Sequence, residues 1–187
     1  MIQIFGDFKD GPPKTQEYFM FGFSPHSNIS FEELWETHGL LADFLAHYLT
    51  IFYRNRDTQE LKEVVSHTAN ELLENASKFN DKTVEYPISI QFQLHRDHLI
   101  LSTTNNVPKK HVGDFQSFIK KLLRSDLQEL YTHQIEKADE QNDLAASRLG
   151  LLMMIKNYKA KVGWKFETVQ QAPEMIIVTT MVQLAVE

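Results

Sequence analysis

Glu71-Leu72-Leu73-Glu74-Asn75-Ala76-Ser77-Lys78-Phe79 carries a polar pair and an apolar set at helical spacing. Glu71 and Asn75 stand four apart, so in a helix both project from one face, a single turn from each other. Leu72, Leu73 and Ala76 fall mostly on the sides that pack. A carboxylate and an amide among apolar neighbours poorly suit a helix whose only task is to fill a core. They suit one that holds a divalent cation and orients a water or a hydroxyl.

Working outward, Asp57 or Thr58 is placed to cap this helix, which ends near Asn80-Asp81. Before it, Thr15 to Ser24 has strand composition, and Ser24-Pro25-His26-Ser27-Asn28 is a turn. Ser30 with Glu33 forms a capping box. It opens a long helix to about Asn55, with Phe31, Leu34, Trp35, Leu41, Phe44, Leu45, Tyr48, Leu49 and Phe52 at helical spacing and Gly39 as its weak point. Its apolar residues run around much of the circumference, which predicts burial on more than one side. After the Glu71 helix, Ile88–Leu94 and Leu99–Thr104 alternate and predict a hairpin. Asn105-Asn106-Val107-Pro108 ends the second strand. Helices follow over about His111–Arg124 and Ser125–Lys137, then a polar stretch Lys137–Asp143 and a helix from about Ala146 to Lys159. Val162–Val169 and Met175–Ala185 are the last strands, with Pro173 between them. This order predicts an α+β fold, a two-layer sandwich of a mixed β-sheet with helices on one face. It is expected as a single domain over 1–187: an N-terminal strand and long helix (1–57), then the remainder (58–187).

The composition excludes several classes of function. At 187 residues, with 42% hydrophobic and 24% charged, the chain is long enough for a real core and is ordinary for a globular domain. A formal charge of -6 argues against nucleic acid as the main partner, since phosphate binding needs clustered Lys and Arg. With no Cys, there are no disulfides, thiolate metal sites or Cys nucleophiles, which fits a cytoplasmic location. No apolar run approaches the ~20 residues that span a bilayer, and Asp7, Lys9 and Asp10 interrupt any signal-peptide core, so no membrane partner is expected. Walker A, Gly-x-Ser-x-Gly, His-Glu-x-x-His and dinucleotide fingerprints are missing from the sequence.

The run Glu-x-x-x-Asn-Ala-x-Lys-Phe over Glu71–Phe79 resembles the N-box helix of the GHKL ATPase/kinase superfamily, and the order of elements from about Lys62 to Val186 is similar to that superfamily's. The resemblance implies a histidine-kinase-like ATPase fold with ATP and Mg²⁺ as cofactors. It implies that Asn75 holds Mg²⁺ on the phosphates, that Glu71 acts as general base and that Lys78 meets phosphate. Where such proteins often have Asp-Asn-Gly-Pro-Gly after the hairpin, this chain has Asn105-Asn106-Val107-Pro108-Lys109, so Asn105 takes the place of the Asp that reads adenine. Thr104 and Asn106 are alternatives one step away. An Asn carbonyl accepts that bond without charge assistance, and Val107 replaces a Gly. The second Gly-rich loop is represented by Ala146-Ser147-Arg148-Leu149-Gly150-Leu151, in which Gly150 is the surviving glycine and Arg148 adds charge beside helix-terminal amides. The flexible lid is replaced by helices over about Val112–Lys137. In that region the chain is similar to the SiaB-like branch of anti-sigma-factor kinase regulators. The branch implies a bacterial signalling regulator that phosphorylates Ser or Thr of a small STAS-like or similar regulatory protein, or only binds it, and that forms a homodimer.

Other polar residues carry blander expectations. His95 and His98 are solvated turn residues whose rings a hairpin does not reliably bring together. His67, one turn before Glu71, is a partly buried helix histidine. Lys109, Lys110 and His111 form a small basic cluster in a solvated loop. Met153 and Met154 belong to the core.

Overall fold

Ile88, Ile90, Phe92 and Leu94 are buried, and the residues between them are half-buried. This alternation makes β3 (Ile88–Leu94) a strand with one face turned to the core. The computed structural model describes residues 1–9, 17–24, 31–53, 58–138, 143–171 and 174–186. Beside β3 lies β4 (His98–Val107), with Phe92 opposite Leu101 and Leu94 opposite Leu99. The other strands are β1 (Ile2–Gly6), β2 (Tyr18–Phe23), β5 (Lys161–Gln171) and β6 (Glu174–Ala185). Together they form a six-stranded sheet in the order β1-β5-β6-β4-β3-β2. Every pairing is antiparallel, where a mixed sheet was expected. The reason is connectivity: β3–β4 and β5–β6 are hairpins, and β6 returns along β4 without a parallel crossover.

Among the described residues, five helices complete the α+β architecture: α1 (Phe31–Phe52), α2 (Gln59–Lys78), α3 (Lys109–Leu122), α4 (Leu127–Ala138) and α5 (Asp143–Tyr158). α2 turns Val65, Ala69, Leu72, Leu73 and Ala76 into the core. There they join Leu99 and Leu101 of β4, Val178 and Val182 of β6, and Trp164 of β5. α1 contributes Ala42, Leu45, Ala46 and Leu49 to the same core. The opposite sheet face carries Ser89, Gln91, Gln93, Ser102, Thr104 and Thr179, polar residues at the alternate register.

Three sequence expectations change. β1 was not anticipated; it pairs with β5, Phe5 opposite Trp164. The second strand does not stop at Thr104: Asn105, Asn106 and Val107 extend β4 to its end, opposite Val178, Ile177 and Ile176. Thr58 occupies the N-cap position of α2 without a side-chain capping bond. Ser30, Asp57, Pro173 and residues 139–142 of the polar stretch Lys137–Asp143 lie outside the described residues.

Candidate functional site

The positions of β4 that face the helices continue past the apolar core. Leu99 and Leu101 are followed on the same face by Thr103, Asn105 and Val107, all buried. Thr180 of β6 lies directly opposite Thr103, so two hydroxyls and one amide form a polar floor at the end of the core. Over this floor sits a mostly apolar cleft of about 90 Å³. A buried water needs roughly 10–15 Å³ by such a measure, so the space holds several waters or a small planar ring. Leu72, Asn75, Ala76 and Phe79 form one wall; His111, Asp114, Phe115 and Phe118 of α3 form the facing one; Arg148 and Leu151 of α5 close the end.

Three predicted site residues therefore meet. Asn75, Asn105 and Arg148 come from α2, β4 and α5 and line one cleft. The Asn105 Nδ2 donates to the Asn106 backbone carbonyl at 3.3 Å, which leaves Oδ1 as the acceptor available to a ligand. The neighbouring candidates separate from it by strand alternation. Thr104 is on the far face and shares a hydrogen bond with Thr179 at 3.0 Å. The Asn106 backbone N–H is not free for a ligand either, because it donates to Oδ1 of Asn80 at 3.2 Å. Arg148 stacks over the Phe118 ring, 4.8 Å from guanidinium carbon to centroid. Burial pulls its pKa down from the ordinary guanidinium range, and the charge of Asp114 opposes that shift.

The other three predicted residues stand apart from the cleft. Glu71 is turned toward α5, where a Cβ at Gly150 would collide with its carboxylate as it stands, so the carboxylate would have to move. Burial raises the Glu71 pKa from 4.5 to about 7, Glu74 adds to the rise, and Lys78 opposes it. Glu71 in turn helps to raise Tyr158, after burial, and His67 meets the Tyr158 ring edge-on at 5.7 Å. Lys78 is exposed on the solvent side of α2, 5.7 Å from the centre of the Phe79 ring. Gly150 is buried within α5 and lines nothing open.

The expected phosphate loop is also absent from its place. α5 begins at Asp143, so Ala146-Ser147-Arg148-Leu149-Gly150-Leu151 is helix. Only the first N–H groups of a helix lack internal partners. The amides of Arg148 to Leu151 lie beyond them, bonded within the helix and not offered to a phosphate.

Sequence reasoning missed Thr103, Thr180, Asp114, Phe115 and Phe118. Thr103 was recoverable from its two-residue offset to Asn105. Thr180 needed the β4–β6 register, which no local pattern encodes. His111, expected in a solvated loop, lines the cleft, while Lys109 is paired with Glu174 at 2.5 Å. The rings of His95 and His98 do come together, stacked at 4.3 Å and 5°. No group of three or more metal-ligating residues occurs among the described residues, so the pair lacks a third ligand.

The fold is an α+β domain with a cleft between its helices and one end of an antiparallel sheet. Among solved structures, a chain of the SiaB–SiaC complex from Pseudomonas aeruginosa is similar in fold, with a TM-score of 0.57 and 14% identity over 89% of each chain. No protein-family model and no curated protein matches the sequence. None of the helices among the described residues is long and apolar enough to cross a membrane.

Proposed function

We propose that this chain is a cytoplasmic signalling regulator of the partner-switching kind, which controls a small STAS-like or similar regulatory protein by binding it, without phosphoryl transfer. One observation carries the choice between binding and transfer: the stretch that would cradle phosphate is interior helix, with the Glu71 carboxylate packed against its Gly150. Phosphoryl transfer is catalysed almost wholly by positioning and charge stabilisation. A site without free backbone amides at the phosphates, and with its base turned aside, lacks both. The fold likeness to a protein complex supports a protein partner.

The kinase reading keeps one observation in its favour, the meeting of Asn75, Asn105 and Arg148 in one cleft. For ATP and Mg²⁺, the Asn75 carbonyl oxygen suits a hard cation and Asn105 suits the adenine amine. The phosphate end does not fit, because Lys78 lies outside the cleft and Glu71 faces Gly150. A homodimer remains part of the proposal, supported by exposed Leu40, Phe44 and Ile51 along α1.

The test is calorimetric titration of the full chain with purified STAS-domain proteins, without nucleotide, beside a phosphate-affinity gel of the same mixtures with Mg-ATP. A complex without nucleotide and no phosphorylated product is expected. A phosphoprotein that forms with the native chain and is lost with Asn75→Ala would replace this reading with the kinase one.

A further inference from the structure

We infer that the outer edge of β1 takes an extended, acidic segment of a partner protein as an added strand of the sheet. The inference goes beyond the proposed function and stands on residues that the cleft does not use.

The register shows which backbone groups are open. β1 ends the sheet on one side, and no strand lies outside it among the described residues. The Thr168 N–H donates to the Met1 carbonyl at 2.9 Å, and the Asp7 N–H to the Val162 carbonyl at 2.8 Å. Residues of an antiparallel ladder alternate between those bonded to the neighbour and those turned away from it. The odd-numbered residues of β1 therefore bond β5, and Ile2 and Ile4 direct their N–H and C=O groups outward. Ile2 is 58% exposed and Ile4 47%. Sheets guard such an edge with charged residues, proline or a bulge. Ile2–Gly6 carries none of these, and its register against β5 runs without a shift. With 5 residues, it has room for one short segment.

Charge selects the occupant. Gln3 and Phe5 share the face of Trp164 and Phe166, and α3 lies along them. The Gln116 Nε2 donates to the Gln3 Oε1 at 2.8 Å. Lys120, one turn further along α3, holds its ammonium 5.9 Å from the centre of the Phe5 ring. Lys121 and Arg124 follow, all three cations are exposed, and no acidic residue occurs from Gln116 to Ser125. In a chain of formal charge -6, this is a local excess of positive charge beside open strand backbone. A strand laid on β1 would place alternate side chains beside Gln3 and Phe5, ~5 Å away across the pair and toward Lys120. Carboxylates fit there, and apolar side chains fit beside Ile2 and Ile4. A second copy of this chain does not fit, because pairing β1 with β1 would bring two such basic sets to one seam. The aromatic contact of α1 lies at the other end of the sheet, where Phe44 meets Phe19 of β2, so an interface there leaves β1 open.

Fluorescence anisotropy tests this with the full chain, free of any N-terminal tag, and short labelled peptides. One alternates valine with glutamate and a second alternates valine with lysine. A third is the first with each valine N-methylated, which removes the donors that Ile2 and Ile4 would meet. The glutamate peptide is expected to bind and to slow solvent exchange of the Ile2 and Ile4 amides in nitrogen-15 NMR. The lysine and N-methylated peptides should each bind more weakly by about tenfold or more. Lys120→Glu combined with Lys121→Glu should weaken the glutamate peptide and strengthen the lysine peptide, a reversal that a misfolded chain would not show; if that variant fails to fold, the peptide comparison on the native chain decides. Equal affinity for the glutamate and lysine peptides, or binding that leaves the Ile2 and Ile4 amides unchanged, overturns the inference. No binding of the glutamate peptide up to millimolar overturns it as well, and each of these outcomes leaves the proposed function standing.

Discussion

Glu71 holds its proton to a pH at which most carboxylates have lost theirs. Burial against α5 is the larger cause, the nearby Glu74 the next, and Lys78 offsets part of the shift. A folded-state pKa of about 7 against an ordinary 4.5 has a definite sign for stability. Between those values the folded chain keeps a proton that the unfolded chain has released, so stability falls as pH rises through that window and levels off above it. At one pKa unit per 1.36 kcal/mol, and with the side chain not wholly buried, the loss is on the order of 2 kcal/mol. Glu71→Gln keeps the shape and removes the titration. We expect it to match the native chain near pH 5 and to melt some 4–8 °C higher at pH 8, at about 2–4 °C per kcal/mol for a chain of this size. Melting curves at the two pH values check it, and an equal difference at both would reject burial of the charge as the cause.

At the scale of elements, the contact between α2 and α5 decides what the site can do, and Gly150 is its hinge point. Alanine is favoured over glycine inside a helix by about 1 kcal/mol. What a Cβ at Gly150 would strike is the far end of a flexible side chain, the Glu71 carboxylate, which burial already penalises. Gly150→Ala is therefore expected to push Glu71 into water without loss of stability. Its titration midpoint, followed by carbon-13 NMR of labelled glutamate, should drop from about 7 toward the ordinary 4.5. A midpoint that stays near 7 would mean that α5 does not bury this group. The same elements show what the sequence made legible. α2 was readable because its polar pair and apolar set share one period, and β3 because its alternation is clean. β4 was cut short because Asn105-Asn106-Val107-Pro108 has turn composition; pairing with β6 and the Asn80 side chain overrides that local preference. The start of α5 was set too late because its first turn, from polar Asp143, has no apolar period to announce it. The resemblance then drew Ala146–Leu151 toward a loop, although of its six residues only Ser147 and Gly150 disfavour helix. The cleft was half legible: α2 and β4 supplied Asn75 and Asn105, whereas the α3 wall depends on how a helix packs after Pro108.

For the whole molecule, the sheet ends in two different edge strands among the described residues, and their surroundings differ. β1 ends one side and β2 the other. Beside β2, the aromatic set of α1 continues outward: Phe19 meets Phe44 at 5.4 Å, and Phe44 stacks on Tyr48 at 5.8 Å. Leu40, Phe44 and Ile51 on α1 and Phe21 on β2 are exposed on this side, whereas Met20 belongs to the opposite sheet face with Gln91 and Gln93. Scattered apolar residues need no explanation, but a contiguous patch rimmed by polar groups marks an interaction surface. The outer edge of β2, unpaired among the described residues, adds backbone donors and acceptors next to it. Two copies related by a twofold axis would cover both features at once, the α1 stripes against each other and the β2 edges side by side, since such an interface uses the same patch twice. Sedimentation equilibrium of the native chain at micromolar concentration should then report a dimer. Phe44→Glu places a charge within the stripe, on a side chain 47% exposed and so outside the sealed core. It should give a monomer with an unchanged far-ultraviolet spectrum. A native chain that sediments as a monomer throughout would assign this face to another molecule, and the regulatory partner would be the first to test against it, with Phe44→Glu expected to weaken that complex instead.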